Sequence, residues 1–249
     1  PPPQPVAPEA EEKYLNWIRQ RAEHIPLQQL TGEQGFMGLT FSVNEHVLIP
    51  RQDTEILVEE VLKELHDGMR VLDMCTGSGC ILLSLLHYSN DCEGLGVDLS
   101  AEALEVAGRN VLKVLTPEKA EHAHFLQSDL FEKVEGKFEI IVSNPPYIAS
   151  AEVEKLMPEV RDHEPRMALD GTEDGLHFYR RIIEEAGKHL VSSGMLFFEI
   201  GYDQGQAVSE LMRTEGYCDV QVVQDYAGLD RVVFGTYVTV QPAPFAKSR

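Results

Sequence analysis

Short apolar runs alternate with longer helical stretches along most of the chain. The runs lie at 70–74, 94–97, 124–126, 138–142 and 195–200, and each ends in polar residues. Stretches with helical periodicity lie mostly between them, at 79–88, 101–115, 175–190 and 203–215. This alternation predicts an α/β fold in which a parallel, doubly wound sheet is covered by helices.

The last part of the chain departs from this alternation. Residues 218–223 and 231–238 read as two strands joined by a short turn around Gly228. Strands so close in sequence pair antiparallel, so we expect a hairpin at the sheet edge. Five parallel strands with a terminal hairpin give a mostly parallel, seven-stranded, Rossmann-like sheet, which resembles the fold of class I methyltransferases.

A helix and a small hairpin are expected before the sheet. Residues 9–23 have helical periodicity, and the runs 36–43 and 46–49 predict a hairpin that turns at Asn44-Glu45. Asp53 or Thr54 is a suitable N-cap for a further helix that ends near His66.

Composition excludes several classes of protein. The formal charge of −20 disfavours binding to nucleic-acid phosphates, and no apolar run is long enough to cross a bilayer or to form a signal core. The four cysteines do not have metal-ligand spacing and do not form a disulfide scaffold in a chain of 249 residues, and the histidines do not cluster. We therefore expect a reduced, cytoplasmic protein with no metal and no membrane contact.

A glycine-rich turn follows the first parallel strand. The segment Asp73–Cys80 reads Asp-Met-Cys-Thr-Gly-Ser-Gly-Cys and leads into an apolar helix. Glycines at such a turn let the backbone approach a ligand, and the helix N-terminus favours an anion. Leu82 stands where the dinucleotide fingerprint requires its third glycine, which disfavours NAD.

Two further strand ends carry acidic residues. Asp98 ends the second parallel strand, where a carboxylate can accept hydrogen bonds from ribose hydroxyls. Asp129 ends the third, where it could accept from an adenine amino group while Leu130 packs on the ring. An adenosyl ligand without a pyrophosphate fits these positions, and S-adenosylmethionine is the leading candidate.

The fourth parallel strand ends in Asn144-Pro145-Pro146-Tyr147. Two prolines make a rigid turn without N–H groups, so nearby carbonyls remain free as acceptors. The Asn144 side-chain oxygen and the Pro145 carbonyl can both accept from one planar –NH₂ group, and Tyr147 can offer a ring face. This arrangement would aim an amide or aromatic amine nitrogen at a methyl group.

Several segments together resemble one family, the release factor glutamine methyltransferases, over residues 12–238. They are Asn144–Tyr147, the segment 48–55 (Leu-Ile-Pro-Arg-Gln-Asp-Thr-Glu), the segment 158–176 and the segment 225–233. The resemblance implies methyl transfer to the side-chain amide of the glutamine in the Gly-Gly-Gln loop of class 1 peptide release factors, with S-adenosylhomocysteine as the other product.

The residues and the resemblance together give a set of expected site residues. On the cofactor side they are Asp73, Cys75, Thr76, Gly77, Ser78, Gly79, Asp98, Leu99, Asp129, Leu130 and Asn144. On the substrate side they are Asn144, Pro145, Pro146, Tyr147, Phe36 and Arg51, of which Asn144, Pro145 and Tyr147 are the expected catalytic residues.

The chain departs from the family pattern in two places. Cys75 stands where the family usually has glycine, and only the last helix of the family's N-terminal helical domain is present. We therefore divide the chain into a proline-rich disordered leader (1–8), a remnant of that domain with the hairpin (9–51), the methyltransferase domain (52–239) and a tail (240–249), and we expect a monomer.

Two alternatives remain open from sequence. The turn 144–147 would also suit an adenine amino-methyltransferase acting on DNA or RNA, although the acidic charge and the absence of a basic stripe disfavour it. A cofactor-binding partner protein without activity is the third interpretation. Cys75 and the short N-terminal part favour it, whereas Asp98 and the intact 144–147 segment oppose it.

Overall fold

The fold is taken from a computed structural model, which describes residues 7–238. The predicted tail and all but the last two residues of the predicted leader lie outside this range. The first helix, α1 (Pro8–Ala22), begins one residue before the predicted position and is followed by the short helix α2 (Leu27–Thr31).

A seven-stranded sheet forms the centre of the molecule and confirms the predicted fold class. Its strands are β3 (Arg70–Met74), β4 (Glu93–Asp98), β5 (Ala123–Gln127), β6 (Phe138–Ser143), β7 (Leu190–Glu199), β8 (Tyr217–Gln224) and β9 (Asp230–Tyr237). They lie in the order β5-β4-β3-β6-β7-β9-β8. The first five are parallel, and β9 pairs antiparallel with both β7 and β8.

Helices cover both faces of this sheet. The longer ones are α3 (Thr54–Glu64), α4 (Cys80–Tyr88), α5 (Ala101–Val114), α9 (His177–Ala186) and α10 (Gly205–Thr214). Single turns of helix are α6 (Pro117–Ala120), α7 (Ser150–Val153) and α8 (Pro158–Arg161), with 3-10 turns at Leu130–Lys133 and Arg166–Ala168. Within residues 7–238, no helix is long and apolar enough to cross a membrane.

Two apolar cores result, one on each face of the sheet. Helices α3, α4 and α5 bury residues such as Leu57 and Leu82 on one face, and α9 and α10 bury Ile182 and Met212 on the other. The parallel strands contribute to both, since Val71 faces the first core and Leu72 the second. Side chains alternate across a strand, so burial on both faces explains the continuous apolar runs.

The small hairpin exists, but the predicted positions of its strands and turn are wrong. Its strands are β1 (Glu33–Phe36) and β2 (Leu39–Ser42), so the chain turns at Met37-Gly38 and not at Asn44-Glu45. Met37 and Gly38 both have positive φ, 51° and 71°, as a two-residue hairpin turn requires. Methionine is not a turn residue, and the run 36–43 therefore resembled one continuous strand.

Candidate active site

A cavity opens at the carboxyl ends of β3, β4 and β6. The chain crosses outward from β3 to β5 and then returns to β6 on the other side of β3, so the strand order reverses at this point. Open α/β sheets bind ligands at such reversal points. Of the expected site residues, the cavity wall includes Arg51, Cys75, Thr76, Gly77, Ser78, Asp98, Leu99, Asp129, Leu130, Asn144 and Pro146.

The glycine-rich turn is held in a tight left-handed conformation. Gly77 and Gly79 have φ of 55° and 77°, and Cys75 has φ of 64° although it carries a Cβ. Gly79 does not line the cavity but allows close packing, because a Cβ there would lie 3.2 Å from both Ala107 and Leu83. Because a Cβ makes positive φ unfavourable, the backbone at Cys75 carries a strain that a glycine in its place would not have.

Asp73 lies beneath this turn and not on the cavity wall. Its carboxylate accepts from the Thr76 hydroxyl at 2.6 Å and from the Leu82 N–H at 3.3 Å. The side chain is fully buried, and burial raises its pKa to about 7 against the effect of those two donors. Asp73 therefore stabilises the shape of the turn and the start of α4.

Asp98 joins the ends of β3 and β4. One carboxylate oxygen accepts from the Gly77 N–H at 2.8 Å, and the other accepts from the Ser100 N–H at 2.9 Å. Burial raises the pKa of Asp98, opposed by these same N–H groups. A carboxylate has about four acceptor sites, so the two that remain are available to hydroxyl donors in the cavity.

The end of β5 supplies an apolar and a charged residue to the cavity wall. Leu130 is buried with a φ of 47°, and this unusual backbone turns its side chain into the wall. Asp129 forms an ion pair with Arg181 at 3.0 Å, a partner that the sequence did not predict. Leu99, by contrast, is 55% exposed at the rim.

Two acceptors in the 144–147 turn are without partners. Within residues 7–238, neither the Asn144 side-chain amide nor the Pro145 carbonyl oxygen takes part in a hydrogen bond. Asn144 and Pro146 line the cavity, whereas Pro145 and Tyr147 do not. The turn therefore presents free hydrogen-bonding capacity next to the cavity, on a backbone that two prolines make rigid.

Residues outside the expected site set support this turn. The Tyr147 hydroxyl donates to Glu199, and the backbone carbonyl of Tyr147 accepts from the Gln204 side chain at 3.0 Å. Gly171 and Gly175 pack so closely on the turn that a Cβ would lie 2.8 Å from the Pro146 oxygen and 2.3 Å from the Tyr147 oxygen, respectively. Glycines spaced within 170–176 were a signal for this contact, although sequence could not show what they touch.

Two loops complete the cavity wall. Residues 46–51 contribute one loop, and residues 165–170 contribute the other. Glu164, with a side chain only 1% exposed, joins them by accepting from the Arg51 guanidinium and from the Ile49 N–H at 3.1 Å. Phe36 lies in the core against Phe41, away from this wall, and the structure gives it no position beside the cavity.

The polar atoms of the turn suit a polar ligand. Asp73 Oδ1 and Ser78 Oγ are buried and have no hydrogen-bond partner among residues 7–238. Buried polar atoms without partners are costly, and of these two residues Ser78 lines the cavity, where a ligand or water can complete its hydroxyl. Within residues 7–238, no group of side chains is suited to bind a metal ion.

The fold and the cavity at its reversal point define a class I methyltransferase. Residues 51–160 match the family model described as Methyltransferase small domain. A methyltransferase from Pyrococcus furiosus has the same fold, with a TM-score of 0.58 over 93% of this chain and 99% of that one, at 17% identity.

Sequence relatives narrow the class to one family. The release factor glutamine methyltransferase of Clostridium acetobutylicum is 44% identical over 89% of this chain and 78% of its own. That of Thermodesulfovibrio yellowstonii is 43% identical over 87% of this chain and 78% of its own. The chain belongs to the release factor glutamine methyltransferase family.

Proposed function

We propose that this chain transfers a methyl group from S-adenosylmethionine to the side-chain amide nitrogen of the glutamine in the Gly-Gly-Gln loop of class 1 peptide release factors. The observation that carries the proposal is the pair of free acceptors on Asn144 and Pro145 beside the cavity. A primary amide has two N–H donors in one plane, which these acceptors can satisfy together. Release factors act on ribosomes, so we infer a cytoplasmic site of action.

The residues around the cavity suit the methyl donor. Asp98 would accept from the ribose hydroxyls, the glycine-rich turn at 75–79 would hold the amino-acid end, and Leu130 would pack on the adenine with Asp129 near its amino group. The Ser78 hydroxyl, which lines the cavity and has no partner among residues 7–238, supports this assignment. When bound, S-adenosylmethionine supplies an electrophilic methyl group on its sulfonium sulfur.

Catalysis would come from orientation and from polarisation of the acceptor amide. Amide nitrogens are weak nucleophiles at neutral pH, and a fixed attack geometry replaces the entropy that a free encounter would cost. Hydrogen bonds to Asn144 and Pro145 draw electron density toward the nitrogen as its N–H bonds weaken. No strong base is needed beforehand, because the nitrogen would release its proton to water as it gains the methyl group, while the methyl–sulfur bond breaks and leaves S-adenosylhomocysteine.

A DNA or RNA adenine amino group is the second candidate acceptor, because its planar –NH₂ would satisfy the same two acceptors. The charge of −20 opposes it, since binding to a phosphate backbone requires a surplus of Lys and Arg. The third possibility, a binder without activity, is supported by the strained Cys75 backbone.

Methyl transfer from labelled S-adenosylmethionine tests these three candidates together. The chain is offered a class 1 release factor, the same factor with its loop glutamine changed to alanine, and duplex DNA. We expect label on the unaltered release factor alone. Label on DNA would establish the adenine acceptor, and cofactor binding without label on any substrate would identify an inactive binder.

A further inference from the structure

Tyr147 is held at both ends by side chains that do not line the cavity, the buried Glu199 and the half-buried Gln204. Its hydroxyl donates to Glu199 Oε1 at 3.2 Å, and its carbonyl oxygen accepts from Gln204 Nε2 at 3.0 Å. The Gln204 side chain is itself fixed, because its oxygen accepts from the Gly201 N–H at 2.9 Å. The position and the rotation of the tyrosine are therefore set by one residue at the end of β7 and one at the start of α10.

Glu199 has an unusual environment for a carboxylate. The residue is 2% exposed, and its hydrogen-bonding neighbours are the Thr54 side chain and the Tyr147 hydroxyl. Arg231, which lies close enough to act electrostatically, directs its guanidinium to Asp225 at 3.0 Å and to Asp53 at 3.4 Å. A buried carboxylate is unfavourable unless it is hydrogen-bonded or paired, so the Tyr147 hydroxyl is an important partner for it.

We propose that Glu199 is a positioning residue that acts on the acceptor turn through the Tyr147 hydroxyl. This inference rests on the function proposed above, in which the turn 144–147 binds the acceptor amide. Pro145 and Pro146 fix φ near −65°, so they transmit a displacement of Tyr147 to the Pro145 carbonyl and to Asn144. Displacements of about 1 Å are enough to reduce a rate about 100-fold when catalysis depends on orientation.

Three substitutions separate this role from a merely structural one. Glu199→Gln keeps an oxygen that can accept from Tyr147, whereas Glu199→Leu has a similar size and no acceptor. Tyr147→Phe removes the same hydrogen bond from the other side. We expect Glu199→Leu and Tyr147→Phe to lower kcat at least tenfold, and Glu199→Gln to stay within threefold of the wild type. Cofactor Kd should change by less than twofold in all three.

The double variant supplies the sharpest comparison. If Glu199 acts only through the tyrosine hydroxyl, adding Glu199→Leu to Tyr147→Phe should change kcat less than twofold further. An equal loss in both backgrounds, or a kcat for Tyr147→Phe within twofold of the wild type, would overturn the proposal. The second outcome remains decisive if Glu199→Leu fails to fold, because Tyr147→Phe keeps the ring and its packing.

A spectroscopic measurement makes the result independent of the protein substrate. With tyrosine ring carbons labelled, the Tyr147 signal, assigned by its absence in Tyr147→Phe, should shift in Glu199→Leu and remain near its wild-type position in Glu199→Gln. An unchanged signal in Glu199→Leu would refute positioning. If the wild-type chain methylates no release factor while this signal responds as expected, the proposed function fails and the contact between Glu199 and Tyr147 stands.

Discussion

The Gly77 N–H donates to the Asp98 carboxylate at 2.8 Å and so connects the glycine-rich turn after β3 to the end of β4. The two segments come from separate strand-to-helix turns, and the bond fixes their spacing before any ligand enters. Preorganised groups lose less freedom on binding, which favours affinity. The contact also means that a change at Asp98 acts on the turn as well as on a ligand.

Loss of the Asp98 carboxylate should weaken cofactor binding. We expect Asp98→Ala to reduce the binding free energy of S-adenosylmethionine by about 1–3 kcal/mol, because charge-assisted hydrogen bonds are lost. Titration calorimetry measures this directly. Asp67→Ala is the matched control, since Asp67 is exposed and does not line the cavity, and its Kd should equal that of the wild type. An unchanged Kd in Asp98→Ala would refute the ribose assignment.

Removal of the Asn144 amide should affect methyl transfer far more than cofactor binding. Asn144→Ala takes away one of the two acceptors for the substrate amide, so we expect methyl transfer to be abolished while cofactor Kd stays within about tenfold. Single-turnover transfer to a release factor and calorimetry give the two quantities. Asn90→Ala, an exposed asparagine away from the cavity, should transfer normally. Near-normal turnover in Asn144→Ala would exclude the amide clamp.

Relief of the strain at Cys75 should stabilise the fold. A left-handed backbone costs a residue with a Cβ about 1–2 kcal/mol, which exceeds the extra entropy that glycine loses on folding, about 0.5–1 kcal/mol. We therefore expect Cys75→Gly to raise the free energy of unfolding by about 1 kcal/mol in urea titrations. Cys218→Gly makes the same chemical change in β8 at negative φ and should lower it. The same sign for both variants would contradict the argument.

The contact between Gly175 and the acceptor turn predicts a selective loss of activity. Gly175→Ala would place a Cβ 2.3 Å from the Tyr147 oxygen, so the carbonyl and its bond from Gln204 must move. We expect kcat to fall at least tenfold with little change in cofactor Kd. Gly136→Ala is the matched control, because Gly136 also has positive φ but has open space around its Cα. It should lose stability and keep its kcat, and equal kcat values for both variants would count against the contact.

Burial of Asp73 should make stability depend on pH. Its folded pKa of about 7 exceeds its ordinary value of 3.8, so between these two values the unfolded chain is ionised while the folded chain holds the proton. Its contribution to the free energy of unfolding therefore falls as pH rises from about 4 to 7, by at most about 4 kcal/mol at 1.4 kcal/mol per pKa unit. Relative to the wild type, Asp73→Asn should gain stability over this range in urea titrations at pH 5 and pH 7.5. A constant difference would contradict the prediction.

Much of the fold was predictable because periodicity reports burial. The inner parallel strands β3, β6 and β7 are buried on both faces and appear as apolar runs, and the edge hairpin follows from its spacing. The hairpin at Met37-Gly38 was not placed correctly, because a methionine held at positive φ by its neighbours leaves no signal in composition. The boundary near residue 190 also differs from the prediction. The helix was expected to reach residue 190 and the strand to begin at 195, whereas α9 ends at Ala186 and β7 begins at Leu190.

For the candidate site, sequence identified the strand ends and missed what supports them. Residues such as Asp98 and Asn144 could be placed because parallel strands bring their carboxyl ends to one edge. Glu199 and Gln204 act on Tyr147 from 52 and 57 residues away, a relationship that only the packed structure reveals. Phe36 shows the converse, because the resemblance implied a substrate contact for it and the side chain is instead 1% accessible in the core.

The buried Glu164 limits which segments of the chain can be exchanged separately. One carboxylate serves both the Arg51 guanidinium and the Ile49 N–H, so segments more than 100 residues apart share a single support. Replacing residues 46–51 alone with a segment that lacks the arginine would leave the buried Glu164 without its counter-charge, which typically costs 3–5 kcal/mol. The two loops therefore form one exchangeable unit, and chimeras that transplant them together should fold where single grafts fail.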